Sequence, residues 1–392
     1  MIIGYTYDNY ATRRLIIEKV PGICYKKVWD KYTIMRLGII PLNRLGLKGR
    51  FNDIYLQYND YKLNNVDILH LYNAINYNNK PWIVSFEHII PHFRCMYAFH
   101  LGKNPSFAGL DKNRKYLKGI KALAGSACKK IIALSHCNAG MEVAMLEMFP
   151  EYKKEINDKL IVMHPPQKPE IDDIAVKSMT KDNKINIIFV GHAFFNKGGR
   201  ELLDCFINLR KYNYPAKLII ISSLFVDNYA SFTNDQDVLK AKSMIKSYPD
   251  MITWYPKLPN RQVIELMKKS HIGVLPTYAD TFGFSVLEMQ ASGCPVITTN
   301  VRALPEINDE EKGWIINVPI NQLGEAIYTT AEERQHLSDR IRRGLEEIIH
   351  EIFADPSVIW RKGEKALADI KKNHSPENYS KKMAQIYQEA LG

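Results

Sequence analysis

The sequence predicts an α/β fold built from two Rossmann-like halves, and three observations lead there. Short apolar runs alternate with helix-length amphipathic segments along most of the chain, the grammar of βαβ units and parallel sheets. Several runs stop at Gly or Pro, as buried parallel strands do where they leave the sheet. A chain of 392 residues also exceeds what one ordinary core organises.

Residues 1–8 read as a short first strand, lacking the basic start and apolar core of a signal peptide. Strand candidates follow at 66–71, 82–86, 130–135 and 160–163, the last ending at His164-Pro165-Pro166. Residues 167–183, with several prolines and a charged run, read as the linker. The second half is clearer. Strands are expected at 185–190, 217–221, 252–255, 272–275 and 296–298. Helical segments lie between them, the first with Leu202, Leu203, Cys205, Phe206 and Leu209 on one side. Beyond Gln322 the chain turns mostly helical, and 378–391 forms a last amphipathic helix. The expected domains are 1–170, 184–355 and a helical tail, 356–392, that packs back on the first.

With 46% hydrophobic and 24% charged residues the composition is globular, and no run approaches the roughly 20 apolar residues of a membrane span. Cys24, Cys95, Cys128, Cys137, Cys205 and Cys294 are scattered without paired spacing. Reduced thiols, no structural metal and a cytoplasmic location are therefore expected. All of the excess charge lies in the first half, where residues 1–170 carry 25 basic against 14 acidic side chains. Such a half suits an anionic partner, among them the inner face of a membrane, where the chain would be peripheral. Nucleic acid is not expected, because no recognition motif accompanies the charge.

The most informative segment is Leu275-Pro276-Thr277-Tyr278-Ala279-Asp280-Thr281-Phe282-Gly283-Phe284-Ser285-Val286-Leu287-Glu288. A strand ends at Pro276, a loop carries Asp280, Gly283 permits close backbone approach, and a helix starts near Ser285. Its free N–H groups and positive dipole end would receive an anion such as a nucleotide diphosphate. Asp280 and Glu288 can face one crevice at the strand's carboxyl end, where doubly wound folds bind ligands. Upstream, Gly191-His192-Ala193-Phe194-Phe195-Asn196-Lys197-Gly198-Gly199 places a lysine between a strand and a helix.

These two segments resemble glycosyltransferase family 4, a retaining family with the GT-B fold of two Rossmann-like domains facing a cleft. Two acidic residues with seven between them, around a Phe-Gly pair, match Asp280, Phe282-Gly283 and Glu288. The resemblance spans roughly 185–316, including Leu304-Pro305-Glu306 and Gly313-Trp314-Ile315-Ile316. It implies that Lys197, His192 and the helix starts at Gly198 and Phe284 hold the diphosphate, with Gly191 and Ser285 lining that site. Glu288 would hold the ribose, Asp280 with Phe282-Gly283 would orient the sugar, and His88 would stand near the donor sugar. It also implies a nucleotide-sugar donor, a glycan or lipid-linked acceptor, and no metal or other cofactor. The sequence departs from the family at His192, where arginine is usual, at Asp280, where glutamate is commoner, and at Arg302-Ala303 in place of Gly-Gly.

Plainer readings stand beside these. Ser285 and Glu288 have the spacing of a capping box, and Lys197-Gly198-Gly199 alone could be a solvated turn. Asp235-Gln236-Asp237 looks like a metal-binding D-x-D, but Asp237 suits the N-cap of the following helix. His88 could be a plain loop residue, and His92 and His100 lack metal spacing. In 111–130 the apolar side, Leu117, Ile120 and Ala124, should pack on the sheet, leaving Lys112, Arg114, Lys115, Lys118 and Lys121 for solvent or anionic headgroups. Two further functions stay open, a non-catalytic sugar-nucleotide or glycan binder and an inverting transferase with a first-half base.

Overall fold

The computed structural model describes residues 1–32, 35, 56–61, 63–93, 106–177 and 184–392. Cys95, His100 and positions 178–183 of the expected linker lie outside them. The chain forms two compact units, Met1–Pro166 with Pro376–Gly392, and Gln167–Ser375.

The first unit holds strands β1 (Ile2–Tyr5), β2 (Cys24–Lys27), β3 (Gln57–Tyr58), β4 (Ile68–Tyr72), β5 (Ile75–Asn76), β6 (Trp82–Phe86), β7 (Cys128–Ala133) and β8 (Leu160–Val162). Its helices are α1 (Tyr10–Leu15), α2 (Arg114–Ala124), α3 (His136–Leu146) and α4 (Pro150–Asn157). Six strands make one parallel sheet in the order β2-β1-β4-β6-β7-β8. Strand β2 has no apolar run, because it is an edge strand whose Cys-Tyr-Lys-Lys side chains are mostly exposed.

The second unit carries β9 (Ile185–Ala193), β10 (Ala216–Ser223), β11 (Ile252–Tyr255), β12 (Ile272–Leu275), β13 (Val296–Thr299) and β14 (Gly313–Ile316). Between and after them run α5 (Gly199–Asn208), α6 (Asp235–Ser247), α7 (Asn260–Lys268), α8 (Phe284–Ala291), α9 (Leu304–Ile307), α10 (Ala331–Ala354) and α11 (Ser357–Asn373). The sheet is parallel, ordered β11-β10-β9-β12-β13-β14. That is the 3-2-1-4-5-6 order of doubly wound folds, with its switch point between β9 and β12. The core under it joins Phe189, Phe194, Leu202, Phe206, Leu218, Val274 and Trp314 to Ile341 and Leu345 of α10.

Three expectations change. Residues 167–177 are packed structure rather than free linker. Buried Lys177 donates from Nζ to Ser270 O and lies 3.0 Å from Cys294 Sγ, and Ile171 and Ile174 pack against Gly293. Of the tail, only α12 (Pro376–Leu391) joins the first unit, while α11 groups with the second. Gly363 explains α11's place: a side chain there would come within 2.9 Å of Gly293 O. Asp237 is not an N-cap. Asn234 caps α6 and Asp237 returns its carboxylate to the Asn234 N–H at 2.8 Å, forming a capping box.

Helix α12 completes the first unit's core. Tyr379, Met383, Ile386, Tyr387 and Ala390 pack with Ile3, Ile68, Ile83 and Ile132. Polar contacts are buried there too, among them those of His70. His70 Nδ1 meets Tyr387 Oη at 2.7 Å and its Nε2 meets Ser85 Oγ at 2.8 Å. Burial brings the His70 pKa down to about 3, so the ring is neutral near pH 7.

Candidate functional site

At the switch point of the second sheet, β9 runs on past its apolar residues to Ala193, which pairs with Ser223. The chain then turns tightly: the Lys197 N–H donates to Ala193 O at 3.0 Å and the Gly198 N–H to Phe195 O at 3.1 Å. Gly198 adopts φ +76, and a Cβ there would lie 2.0 Å from Pro276 O. Only glycine lets the start of α5 approach the loop after β12 so closely.

That approach brings Lys197 across the switch point. Its stem passes over Gly191, where a Cβ would meet Lys197 Cγ at 3.0 Å. Its Nζ donates to Ala279 O and to Asp280 Oδ2, both at 2.8 Å. The Lys197 and Asp280 side chains keep 20% and 15% of their surface exposed, so a ligand can reach the pair. Asp280 Oδ1 accepts from the Phe282 N–H at 3.3 Å. The two loops are also tied by the Tyr278 N–H to Asn196 O at 3.0 Å.

Below lies a buried network that sequence reasoning missed. The fully buried Tyr278 donates from Oη to Glu201 Oε1 at 2.9 Å. The same oxygen receives Ser338 Oγ at 2.7 Å and Arg200 Nε at 3.0 Å. Glu201, 1% exposed, thus joins α5 and α10 to the loop that carries Asp280. In sequence it passes for a surface acid of an amphipathic helix.

Helix α8 starts at Phe284, capped by Gly283 at φ +95 without a side-chain cap bond. The Ser285–Glu288 capping box therefore does not form. Ser285 is the second helical residue and Glu288 the fifth, on the second turn and 7% exposed. Buried Phe282 packs its ring 5.3 Å from Phe284. His192 ends up exposed near the end of β9, its ring tilted against Phe225 at 5.4 Å. The structure thus brings Lys197 and Asp280 into direct contact, frames them with Gly191, Gly198, Phe282 and Gly283, and seats His192 on an aromatic neighbour beyond β10.

In the first unit His88 is no exposed loop residue. It is 5% exposed, with its ring edge-on to His92 at 5.0 Å. The loop after β6 is pinned by Asn138 Nδ2 donating to Glu87 O at 2.8 Å and by the Ile90 N–H donating to Glu142 Oε2 at 2.8 Å. Burial raises the Glu142 carboxyl to about 8, so it is mostly protonated at neutral pH. The apolar face of α2 is Tyr116, Gly119, Ile120 and Leu123, one step from the expected stripe, with Leu117 and Ala124 only half-buried. Lys115 and Lys118 lie over the Phe93 and Tyr77 rings at 4.7 and 4.4 Å. Lys112, Arg114 and Lys121 stay exposed. No described helix is long and apolar enough to cross a membrane.

Comparison with known proteins bears on the fold and on the second unit's sequence. Residues 170–346 match the family described as glycosyl transferases group 1. The capsular polysaccharide biosynthesis glycosyltransferase CapM of Staphylococcus aureus is 30% identical over 145 residues, which are 35% of this chain and 34% of CapM. The chain thus spans about a third of the length of the curated relatives it matches. WaaG, a glycosyltransferase involved in lipopolysaccharide biosynthesis, superposes with a TM-score of 0.55 at 11% identity, over 97% of this chain and 98% of WaaG. HepE of Anabaena, solved with UDP and glucose, gives a TM-score of 0.53 at 13% identity, over 99% and 91% of the two chains. The fold is α/β with two Rossmann-like units, that of the GT-B glycosyltransferases, and the second unit is similar to them in sequence as well.

Proposed function

We propose that this protein is a retaining glycosyltransferase of the family 4 type. It would move a sugar from a nucleotide-sugar donor to a glycan or lipid-linked acceptor in surface polysaccharide or glycolipid synthesis. One observation carries the reading: Lys197 and Asp280, from loops on either side of the switch point, meet at 2.8 Å beside two helix starts.

On this reading Glu288 binds the ribose hydroxyls, and Asp280 with the Phe282-Gly283 backbone orients the sugar. Lys197 and the starts of α5 and α8 stabilise the departing diphosphate, a fixed-dipole arrangement that asks for no metal. The bond from the anomeric carbon to the phosphate oxygen breaks, and the acceptor oxygen attacks on the same face. The acceptor proton passes to the leaving phosphate, so configuration is retained. The first unit takes the acceptor, with His88 near the donor sugar. The net charge of +11 on residues 1–170, with Lys112, Arg114 and Lys121 exposed, supports docking on anionic headgroups.

The test is a thermal-shift and calorimetric panel of UDP, GDP, ADP and their sugar conjugates, followed by assay of free diphosphate release. A binder at about 100 times its Kd adds about 2.7 kcal/mol to the second unit, or about 5 °C or more in Tm. No shift with any nucleotide at millimolar concentration would remove the proposal.

A further inference from the structure

The turn after β13 holds a side chain that its backbone disfavours. Arg302 sits at φ +50, in the left-handed region that glycine enters freely and bulky residues avoid. Such a conformation persists only where the surroundings impose it. Here Nη2 lies 2.6 Å from Glu325 Oε1, with the two side chains 4% and 5% exposed. The Arg302 N–H also donates to Gly324 O at 2.7 Å. The turn that supplies Glu325 is itself closed. Ile320 bridges Ala326, and the Asn321 N–H donates to Glu325 O at 2.8 Å.

What this clamp holds is the chain from Val301 to Ile307. The Leu304 N–H donates to Val301 O at 3.1 Å and the Glu306 N–H to Ala303 O at 3.0 Å. Leu304 and Ile307 then press on Gly283: a Cβ there would meet Leu304 Cδ2 at 2.6 Å and Ile307 Cδ1 at 3.3 Å. Gln290 of α8 reaches back to Ile307 O at 2.9 Å. One packed turn therefore connects the buried ion pair to the residue that caps α8.

We propose that Arg302 is a positioning residue, whose ion pair with Glu325 sets the floor beneath the start of α8 and so fixes the direction of its first N–H groups. The proposal rests on the reading of that helix start as the diphosphate site. Cohesion alone does not require the pair, since apolar side chains of similar volume often replace a buried ion pair without loss. Orientation gives it a use.

The deciding protein is the double variant Arg302→Met/Glu325→Met, compared with the parent and with Arg302→Lys. Two measurements are made, calorimetric affinity for UDP, GDP and ADP, and amide hydrogen exchange at residues 286–288, beginning with Val286, whose N–H donates to Gly283 O at 2.9 Å. Expected are a Tm within about 3 °C of the parent, exchange at least tenfold faster at those amides, and affinity at least tenfold weaker, with Arg302→Lys near the parent in both. A folded double variant with unchanged exchange and affinity overturns the proposal. If the parent binds no nucleotide, the functional reading fails while hydrogen exchange still decides the clamp. If the double variant does not fold, Glu325→Gln is read by the same two measurements and the same tenfold criterion.

Discussion

Replacing Lys197 by methionine keeps the bulk of the stem over Gly191 and removes the ammonium that touches both Asp280 and Ala279 O. At 2.8 Å and an effective dielectric near 20, the gross attraction to Asp280 is about 6 kcal/mol. Desolvation cancels most of it, and the pair is not fully buried, so the folded state should lose about 2 kcal/mol. The larger effect is on rate. Loss of one preorganised contact to a leaving group typically costs about 3 kcal/mol, about a hundredfold in turnover. The assay is release of nucleotide diphosphate from the donor that binds in the panel above, at saturating donor, beside circular dichroism to confirm the fold. Asp280→Asn is the control. It should slow turnover while leaving diphosphate affinity within about threefold, whereas Lys197→Met should weaken both. A Lys197→Met protein with parental turnover would refute the role of Lys197 and the electrostatic reasoning behind it.

Other expectations follow from single contacts. Glu288→Gln should weaken diphosphate affinity about 10- to 100-fold, the worth of charged hydrogen bonds to a diol, with the ligand-free Tm unchanged; equal affinity by calorimetry would leave Glu288 a helix residue only. Gly198→Ala should cost about 3 kcal/mol or more, because both the φ of +76 and the 2.0 Å overlap with Pro276 O resist relaxation; a Tm within about 2 °C of the parent would contradict this. Glu142, raised to about 8 by burial, contributes stability that is complete below its unfolded pKa near 4.5 and is lost as pH rises through 8. Glu142→Gln should therefore gain on the parent by about 1.4 kcal/mol per pH unit between about pH 4.5 and 8 in urea unfolding, and no more above that; parallel pH profiles across that window would show that the carboxyl is already ionised.

The strands around the switch point were legible because buried parallel strands are continuous apolar runs, and β9, β10 and β12 are nothing else over most of their length. The loops after β9 and β12 stood out by position, each following an apolar strand and opening a helix, since Lys197-Gly198-Gly199 by itself reads as a solvated turn. Edge strand β2 was hidden by its solvent-facing lysines. The start of α8 at Phe284 is legible but its cap is not, since Ser285 and Glu288 offer an ordinary capping box while Gly283 at φ +95 takes the cap position without a side chain. The buried acids Glu142 and Glu201 could not be found, because a carboxylate on an amphipathic helix looks the same whether its face meets water or a partner 77 residues away. Arg302 and Glu325, 23 positions apart, share no periodicity that would pair them. His88 reads in sequence as a plain loop residue, and its burial against the His92 ring has no signal there.

The return of α12 to the first unit has a consequence for how the chain is made. A ribosome releases residues 1–166 long before it reaches Tyr379, Met383 and Tyr387, so one face of the first sheet and the His70 ring must wait, uncovered, while the whole second unit is synthesised. Residues 376–392 thus close the first unit only after the second has been made. A nascent chain that stalls anywhere before them would present an open apolar sheet to chaperones, however well its second unit had already folded.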